Sequence, residues 1–248
     1  MFDNWIARFK PTKFGNCVLW CDASQIRQAQ GASVSSWTNL AVATNTPVTG
    51  GGGTAPTFQA AGTYGRPAVR FDGAENVLIT PSAVLTDDDF TIFVVCRGDQ
   101  TGSNDVVIGQ QDGTATAGRW TLGNGATGPD LNVRWFHNDG AVSRSAETTS
   151  IGFDNTNPYV IRVRSDGAGN SSVGVNGGRD EALLTTGVAW TPQNTGMRIG
   201  GIAGQASSPS NDMSVDVQEI IIFSKLLSRT KQQIIERYLC HKWGITLN

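Results

Sequence analysis

Charged residues are scarce in this sequence. Asp, Glu, Lys and Arg make up 16% of its 248 residues, whereas soluble domains average about 25%. The 19 basic and 21 acidic side chains leave a formal net charge of −2. Because binding to a nucleic-acid backbone depends on a surplus of positive charge, this balance predicts that nucleic acid is not a partner.

The sequence has no long apolar run, and its first ten residues do not resemble a secretory leader. No apolar run approaches the roughly 18 residues of a membrane-spanning helix, so we expect no membrane span. In residues 1–10, charges interrupt any apolar stretch and no small-residue cleavage site follows, which is not typical of a signal peptide. We therefore expect a chain that is made in the cytoplasm and carries no signal peptide.

Several catalytic signatures are absent from the sequence. It has no Gly-x-Ser-x-Gly elbow and no glycine-rich phosphate-binding motif between a strand and a helix. Its two histidines are His137, in a predicted loop just past a strand, and His241, on a predicted helix. Both are expected to be surface or packing residues.

The four cysteines do not form a metal or disulfide pattern. None has Cys-x-x-Cys spacing, which argues against zinc. Cys17 and Cys21 lie on one face of a predicted strand about 13 Å apart, at roughly 3.3 Å per residue. That separation exceeds the roughly 7 Å that a disulfide allows between Cα atoms. We expect Cys17, Cys21, Cys96 and Cys240 to be buried free thiols.

Short apolar or alternating runs, separated by turn residues, fill most of the chain. With 30 glycines between such runs, the pattern predicts an antiparallel sandwich rather than alternating strands and helices. We expect one sandwich domain over residues 15–248, preceded by an arm over residues 1–14. The predicted strands are Cys17–Cys21, Ala68–Phe71, Val77–Thr80, Phe90–Cys96, Val106–Gly109, Trp120–Leu122, Leu131–Phe136, Tyr159–Arg164, Ser172–Val175, Met197–Ile199 and Val215–Phe223.

Two segments have helical spacing instead. The first runs from Ser228, a suitable N-cap, to Lys242, with Gly244 as the stop. Its apolar residues form one face, which predicts a helix packed on the sandwich, with Lys231, Gln232, Arg237 and Lys242 facing water.

The second helical segment is the N-terminal arm, ended by Pro11. Phe2, Trp5, Ile6 and Phe9 have helical spacing and need a surface to cover. They either fold back on this domain or dock on a partner.

A set of ordered motifs resembles the laminin-G-like, concanavalin-A-like sandwich domains of bacterial and phage proteins. The resemblance covers roughly residues 15–247, and its motifs follow one another in the family's order. They are VLWCDAS at 18–24, VSSWTNL at 34–40, RPAVRFDG at 66–73, FTIFVV at 90–95, VQEIIIF at 217–223, Leu227-Ser228, and YLCHKWGI at 238–245.

The resemblance implies an all-β, two-sheet antiparallel jelly-roll sandwich with one concave sheet that often binds glycans in relatives. It further implies a non-enzymatic structural protein of a tailed-phage particle: a capsid decoration, a head or tail fibre, or a baseplate component. Expected partners are other virion proteins, further copies of this chain and host-surface glycans. The alternatives are a stand-alone carbohydrate-binding module and, less favoured, a polysaccharide hydrolase.

Hydrolases of this superfamily carry two glutamates and an aspartate that alternate along one strand. Retaining hydrolysis needs two carboxyl groups about 5–5.5 Å apart. The acidic strand here offers Asp216 and Glu219, three residues apart, which a regular strand places on opposite faces. The pattern therefore predicts no enzyme activity, with Glu219 in a structural role near the closing helix.

Calcium is the remaining cofactor to weigh, because relatives often bind it at a loop edge. Asp87, Asp88 and Asp89 form the densest acidic cluster, and Asp112 and Asp212 lie in other loops. None of these has EF-hand spacing. We expect a solvated acidic turn and assign no metal, calcium being the alternative.

One strand offers a candidate ligand surface. In residues 131–136, Leu131, Val133 and Trp135 share one face, while the other carries Asn132, Arg134 and Phe136 and leads into Asn138 and Asp139. An aromatic ring beside amides and charges is typical of a glycan-binding face. The alternative is an ordinary solvated strand face. Trp120 and Trp190 are expected in the core.

Overall fold

A computed structural model of the chain describes residues 9–50, 53–62, 65–74, 76–99, 105–111, 117–125, 132–152, 156–178, 180–201 and 212–248. Within these ranges the chain forms fifteen strands in two antiparallel sheets and one C-terminal α-helix. The predicted jelly-roll sandwich is therefore confirmed. Residues 1–8, with Phe2, Trp5 and Ile6, lie outside the described residues, as do Asp112 and Leu131.

Sheet A has eight strands in the order β13-β12-β11-β6-β15-β4-β3, and β1 pairs with the second half of β15. Most side chains of its long central strands are buried, because both faces of the sheet are covered. The strands are β1 (Cys17–Asp22), β3 (Thr57–Gln59), β4 (Ala68–Asp72), β6 (Asp89–Asp99), β11 (Tyr159–Asp166), β12 (Asn170–Val175), β13 (Asp180–Thr185) and β15 (Ser214–Phe223).

Sheet B has seven strands in the order β10-β9-β8-β7-β14-β5-β2. Its inner face packs on sheet A, and its outer face carries three of the predicted ligand residues, Asn132, Arg134 and Phe136. The strands are β2 (Val48–Thr49), β5 (Leu78–Ile79), β7 (Val106–Gln110), β8 (Trp120–Asn124), β9 (Asn132–Asn138), β10 (Ser143–Gly152) and β14 (Met197–Ile199).

The core between the sheets is built on aromatic rings. Phe90 of sheet A lies 5.3 Å from Trp135 of sheet B and 6.4 Å from Trp190, measured between ring centroids. Trp120 packs beside Trp135 at 5.4 Å. All four are buried, which confirms the core positions expected for Trp120 and Trp190. Offset and tilted rings of this kind add stabilisation beyond the area that they bury.

Helix α1 (Arg229–Trp243) covers the outer face of sheet A. Arg162 of β11 forms a buried ion pair with Glu236 of the helix. Ser228 precedes the helix but makes no capping hydrogen bond through its side chain, and Gly244 ends it with φ 72°. The prediction that Gln232 faces water was wrong: its side chain is buried and donates to the Leu227 carbonyl at 2.6 Å.

The chain approaches the sandwich through Phe9 and a short 3-10 helix, Pro11–Phe14. Phe9 stacks on Tyr238 of α1, with ring centroids 4.2 Å apart, and lies 5.7 Å from Phe14. This end of the predicted arm therefore folds back on its own domain.

The described residues give two further findings. All four cysteines are free, three of them buried and Cys17 half-buried. Among the described helices, none is long and apolar enough to cross a membrane.

Candidate functional site

Strand β9 alternates as its sequence predicts. Val133 and Trp135 point into the core, while Asn132, Arg134 and Phe136 point away from it on the outer face of sheet B. The neighbouring strands place Thr121 and Glu147 on the same face, since Thr121 pairs with Phe136 and Glu147 pairs with Arg134. We call these five residues, together with Arg119, the Phe136 face.

Phe136 is covered by positive charge. The guanidinium carbons of Arg119 and Arg134 lie 4.9 and 5.0 Å from its ring centroid, within the range of cation–π attraction. The ring retains 9% of its exposure, so it supports the two guanidiniums rather than forming an open aromatic platform. A ligand on this face would meet the two arginines and the small exposed part of Phe136.

Arg134 also pairs with a carboxylate. Its Nε lies 3.1 Å from Oε1 of Glu147, and both side chains are partly exposed. The pKa of Arg134 is lowered by burial and by the like charge of Arg119, while Glu147 opposes that shift. Two cations and one anion are thus held together around one ring.

Asn138 and Asp139 do not join this set as ligand groups. Oδ1 of Asp139 accepts hydrogen bonds from the backbone of Ala141 and Val142 at 2.9 and 2.8 Å, and Arg144 donates to its other oxygen. These backbone donors, with Arg144, lower the pKa of Asp139 to about 2. The side chain of Asn138 is likewise engaged, with Gly140 and Ser143. Both residues fix the β9–β10 turn.

His137 lies inside β9, not in a loop past it as predicted. Its imidazole is fully buried and stacks on Trp190 at 4.7 Å with planes 4° apart. Burial lowers its pKa to about 4, so the ring is neutral at physiological pH. Extending the inward alternation of Val133 and Trp135 by two residues would have placed it correctly.

Asp216 and Glu219 lie on the same face of sheet A, contrary to prediction. The register of β15 on β6 shifts between Val217 and Glu219, so Asp216 pairs with Arg97 while Glu219 pairs with Val95. Arg97 and Val95 are two apart on β6 and share its outer face. The bulge adds the extra residue that brings both carboxylates to one side.

Both carboxylates are buried and hydrogen-bonded within the domain. Asp216 is buried and held by Arg70 at 2.7 Å and Arg97 at 2.7 Å. Although its burial acts in the opposite direction, these arginines keep its pKa below the ordinary value. Glu219 is buried under α1.

Glu219 accepts four hydrogen bonds from β1 and α1. Lys242 also lies 2.7 Å from Asp22, so one ammonium joins two buried carboxylates. These contacts hold the helix against the sheet. Lys242 was expected to face water, but its side chain is only 14% exposed. The donors are Trp20 Nε1 at 2.8 Å, Tyr238 OH at 3.2 Å, Lys242 Nζ at 2.7 Å and Trp243 Nε1 at 2.7 Å.

The acidic cluster at the start of β6 is not a simple solvated turn. Asp88 is 3% exposed and accepts from the Trp190 backbone at 3.0 Å. Asp89 accepts from Lys225 and from the backbone of Leu226, and Asp87 accepts from the backbone of Asp88. Within the described ranges, no group of three or more His, Cys, Asp or Glu side chains could hold a metal ion.

Comparison with solved structures shows the same fold at low sequence identity. The binding domain of Paraclostridial Mosquitocidal Protein 1 matches with a TM-score of 0.63 and 13% identity, over 92% of this chain and 52% of that one. The binding domain of botulinum neurotoxin serotype G matches with a TM-score of 0.62 and 13% identity, over 90% and 51%. This chain thus spans about half the length of either toxin structure.

A third match is of nearly equal length. Domain 4 of AbnA, a GH43 extracellular arabinanase from Geobacillus stearothermophilus, in complex with arabinotriose, has a TM-score of 0.63 and 11% identity, over 89% of this chain and 98% of that domain. No protein-family model matches the sequence, and neither does any curated protein. At these identities the likeness establishes the β-sandwich fold.

Proposed function

We propose that this chain is a non-enzymatic glycan-binding β-sandwich domain whose ligand surface is the Phe136 face. The carrying observation is the ring of Phe136 on an outer sheet face, flanked by two guanidiniums, an amide and a carboxylate. A sugar presents hydroxyl groups around an apolar ring face, so it is matched by a few fixed polar groups beside an aromatic edge.

The fold comparison supports a binding role in general terms. Domain 4 of AbnA is seen with arabinotriose, and the two toxin structures are binding domains. A sandwich of this kind can therefore serve as a ligand-binding module, and the Phe136 face gives this chain a specific surface for that purpose.

The non-enzymatic part of the proposal rests on the acidic residues of sheet A. Asp216 is neutralised by Arg70 and Arg97, and Glu219 lies in the cluster under α1. A glycosidase needs one carboxyl group that can protonate the leaving oxygen and another that faces the sugar. If the chain were a hydrolase, the native protein would release reducing sugar from a polysaccharide. A folded Glu219→Gln variant would then lose that activity.

The narrower assignment, to a tailed-phage particle, rests on the resemblance of the ordered sequence motifs. In that setting the domain would attach to a capsid or tail, in several copies, and present the Phe136 face to host glycans. Deleting residues 1–13 and measuring incorporation into particles tests the arm: reduced incorporation supports docking through it, and undiminished incorporation removes the arm from the assembly.

Calorimetric titration with a panel of oligosaccharides tests the binding proposal. We expect binding to a member of the panel that falls by about tenfold in Arg134→Ala and Phe136→Ala. Arg164→Ala is the matched control, because Arg164 lies on the outer face of sheet A and bonds to Ser172. Unfolding midpoints of all variants confirm that they are folded. Equal losses in the control, or no glycan bound by the native chain, would contradict the proposal.

A further inference from the structure

The interior of the sandwich holds a group of polar side-chain atoms at one end. Seven buried nitrogens and oxygens there have no hydrogen-bond partner among the described residues, and the residues that carry them are at most 5% exposed. They are Nε1 of Trp120, Trp135 and Trp190, both ring nitrogens of His137, and the hydroxyl oxygens of Ser165 and Ser171. We call these six residues the interior polar cluster.

Sheet B and the chain segment beside it supply the aromatic members of the cluster. His137 pairs with Trp120 of β8, and Trp135 lies two residues before it on β9, so all three side chains point into the core. The imidazole stacks on Trp190 with ring centroids 4.7 Å apart. The ring of Trp135 lies 5.4 Å from that of Trp120 and 6.4 Å from that of Trp190. The four polar rings therefore form one connected group.

Sheet A supplies the two hydroxyl groups on the opposite side of the core. Ser165 pairs with Phe90 of β6 and with Ser171 of β12, so both serines share the inner face with Phe90. The ring of Phe90 lies 5.3 Å from that of Trp135 and 6.4 Å from that of Trp190. Because Phe90 stands beside Ser165, the two hydroxyls face the same end of the interior as the polar rings.

These polar atoms destabilise the fold unless something bonds to them. A buried donor without a partner loses its hydrogen bonds to solvent on folding and regains none. Buried polar groups in native proteins are therefore nearly always bonded to protein or to ordered water, and only a few per 100 residues are left over. An indole N–H in a core follows the same rule. Seven such atoms at one end of one core therefore indicate a bridging partner.

The chemistry of the interior polar cluster matches water. The indoles only donate, the hydroxyls donate and accept, and the imidazole of His137, which its lowered pKa keeps neutral, donates at one nitrogen and accepts at the other. Within the cluster no polar atom bonds to another, so the bridging molecule has to donate and accept, as buried water does with about three hydrogen bonds. An ion fits less well, because none of the six side chains is charged and an unpaired buried charge is costly.

We infer that the interior polar cluster binds ordered water molecules, which bridge the indole and imidazole groups on one side of the core to Ser165 and Ser171 on the other. This interior hydration site lies against the inner face of β9, whose outer face carries Phe136. It joins the two sheets by hydrogen bonds at the end of the core where their aromatic rings meet. The site is independent of the proposed glycan binding, so either can fail without the other.

A crystal structure of the full chain, at a resolution that shows ordered water, is the direct test. We expect electron density for water within about 2.7–3.2 Å of the indole nitrogens, of a ring nitrogen of His137 and of the two serine hydroxyls. Water in contact with polar atoms from both sides of the core supports the inference. No density within hydrogen-bond distance of these atoms would overturn it, and density for a larger molecule would overturn water as the ligand.

A serine variant tests the bridge to sheet A in solution. Ser171→Ala removes a hydroxyl that bonds to interior water, so the ratio of folded to unfolded chain should fall about fivefold in urea unfolding. Ser35→Ala is the matched control, because Ser35 is exposed, and it should leave that ratio unchanged. A buried hydroxyl that bonds to nothing lowers stability, so an unchanged or higher ratio in Ser171→Ala would contradict the bridge.

Discussion

The imidazole of His137 lies flat on the indole of Trp190, with ring centroids 4.7 Å apart and planes 4° apart. Strand β9 brings His137 inward, two residues beyond Trp135, and Asp88 holds Trp190 by its backbone N–H. Neither ring nitrogen of His137 has a hydrogen-bond partner among the described residues. The strand that carries the outer Phe136 face therefore has an aromatic stack on its inner face.

This burial makes stability depend on pH. The folded pKa of His137 is about 4, below the ordinary 6.5, so the unfolded chain binds more protons between these values and stability falls as the pH drops through that window. Between pH 7.5 and pH 5, the unfolding free energy of the native chain should fall by about 2 kcal/mol more than that of His137→Phe.

Urea unfolding at the two pH values measures this difference. His241→Gln is the control for replacing a histidine as such, since His241 is exposed on α1. An equal loss in His137→Phe and the native chain would show that His137 does not titrate across this range.

Glu219 is predicted to be structural. Glu219→Gln keeps the shape of the side chain but leaves Lys242 with Asp22 alone, and breaking a buried pair in this way should cost roughly 3 kcal/mol of unfolding free energy. Glu147→Gln, whose side chain is 27% exposed in its pair with Arg134, should cost less than about 1 kcal/mol. Chemical unfolding compares the two, and similar small losses would mean that the cluster under α1 does not hold the helix.

Removing the contact between Phe9 and Tyr238 tests whether the N-terminal arm packs on its own domain. Phe9→Ala removes a stacked, half-buried ring and should lower the unfolding free energy by about 1 kcal/mol. If Phe2 docks on a partner, Phe2→Ala should leave the isolated chain's stability unchanged. No effect of Phe9→Ala on thermal or chemical unfolding would argue against the fold-back contact.

The thiols should be unreactive in the native protein. Burial raises the pKa of Cys17 and of Cys240 to about 12, and Cys21 and Cys96 are fully buried, so little thiolate is present at pH 8. Ellman's reagent should label none of them in the folded chain and all four after denaturation in guanidinium chloride. Rapid native labelling, or fewer than four thiols in the denatured chain, would be the contrary result.

The sequence predicted the interior strands better than the edges. Four strands were missed, and each lies at an edge of a sheet: β3 and β13 in sheet A, β2 and β10 in sheet B. An edge strand has one neighbour and more exposed side chains, so it need not carry an apolar pattern. The polar sequence of β10, which pairs with β9 beside Phe136, is the clearest example.

The sequence could predict only the part of the site that follows from the alternation of side chains along β9. Alternation placed Arg134 and Phe136 outward, but the contribution of Arg119 depends on a cross-strand neighbour. The bulge at Gln218, which moves Glu219 to the face of Asp216, depends on the pairing of β15 with β6. Neither leaves a local signal, because each is set by contacts between strands distant in sequence.

The most direct test of the account is to locate the ligand on the folded protein. Backbone amide NMR shifts of the isotopically labelled chain should be followed during titration with the tightest-binding oligosaccharide. The account predicts shifts on β8 and β9, centred on Thr121 and Phe136. Shifts confined to the outer face of sheet A, around Arg164 and Ser172, would contradict it, as would no shift on sheet B at saturation.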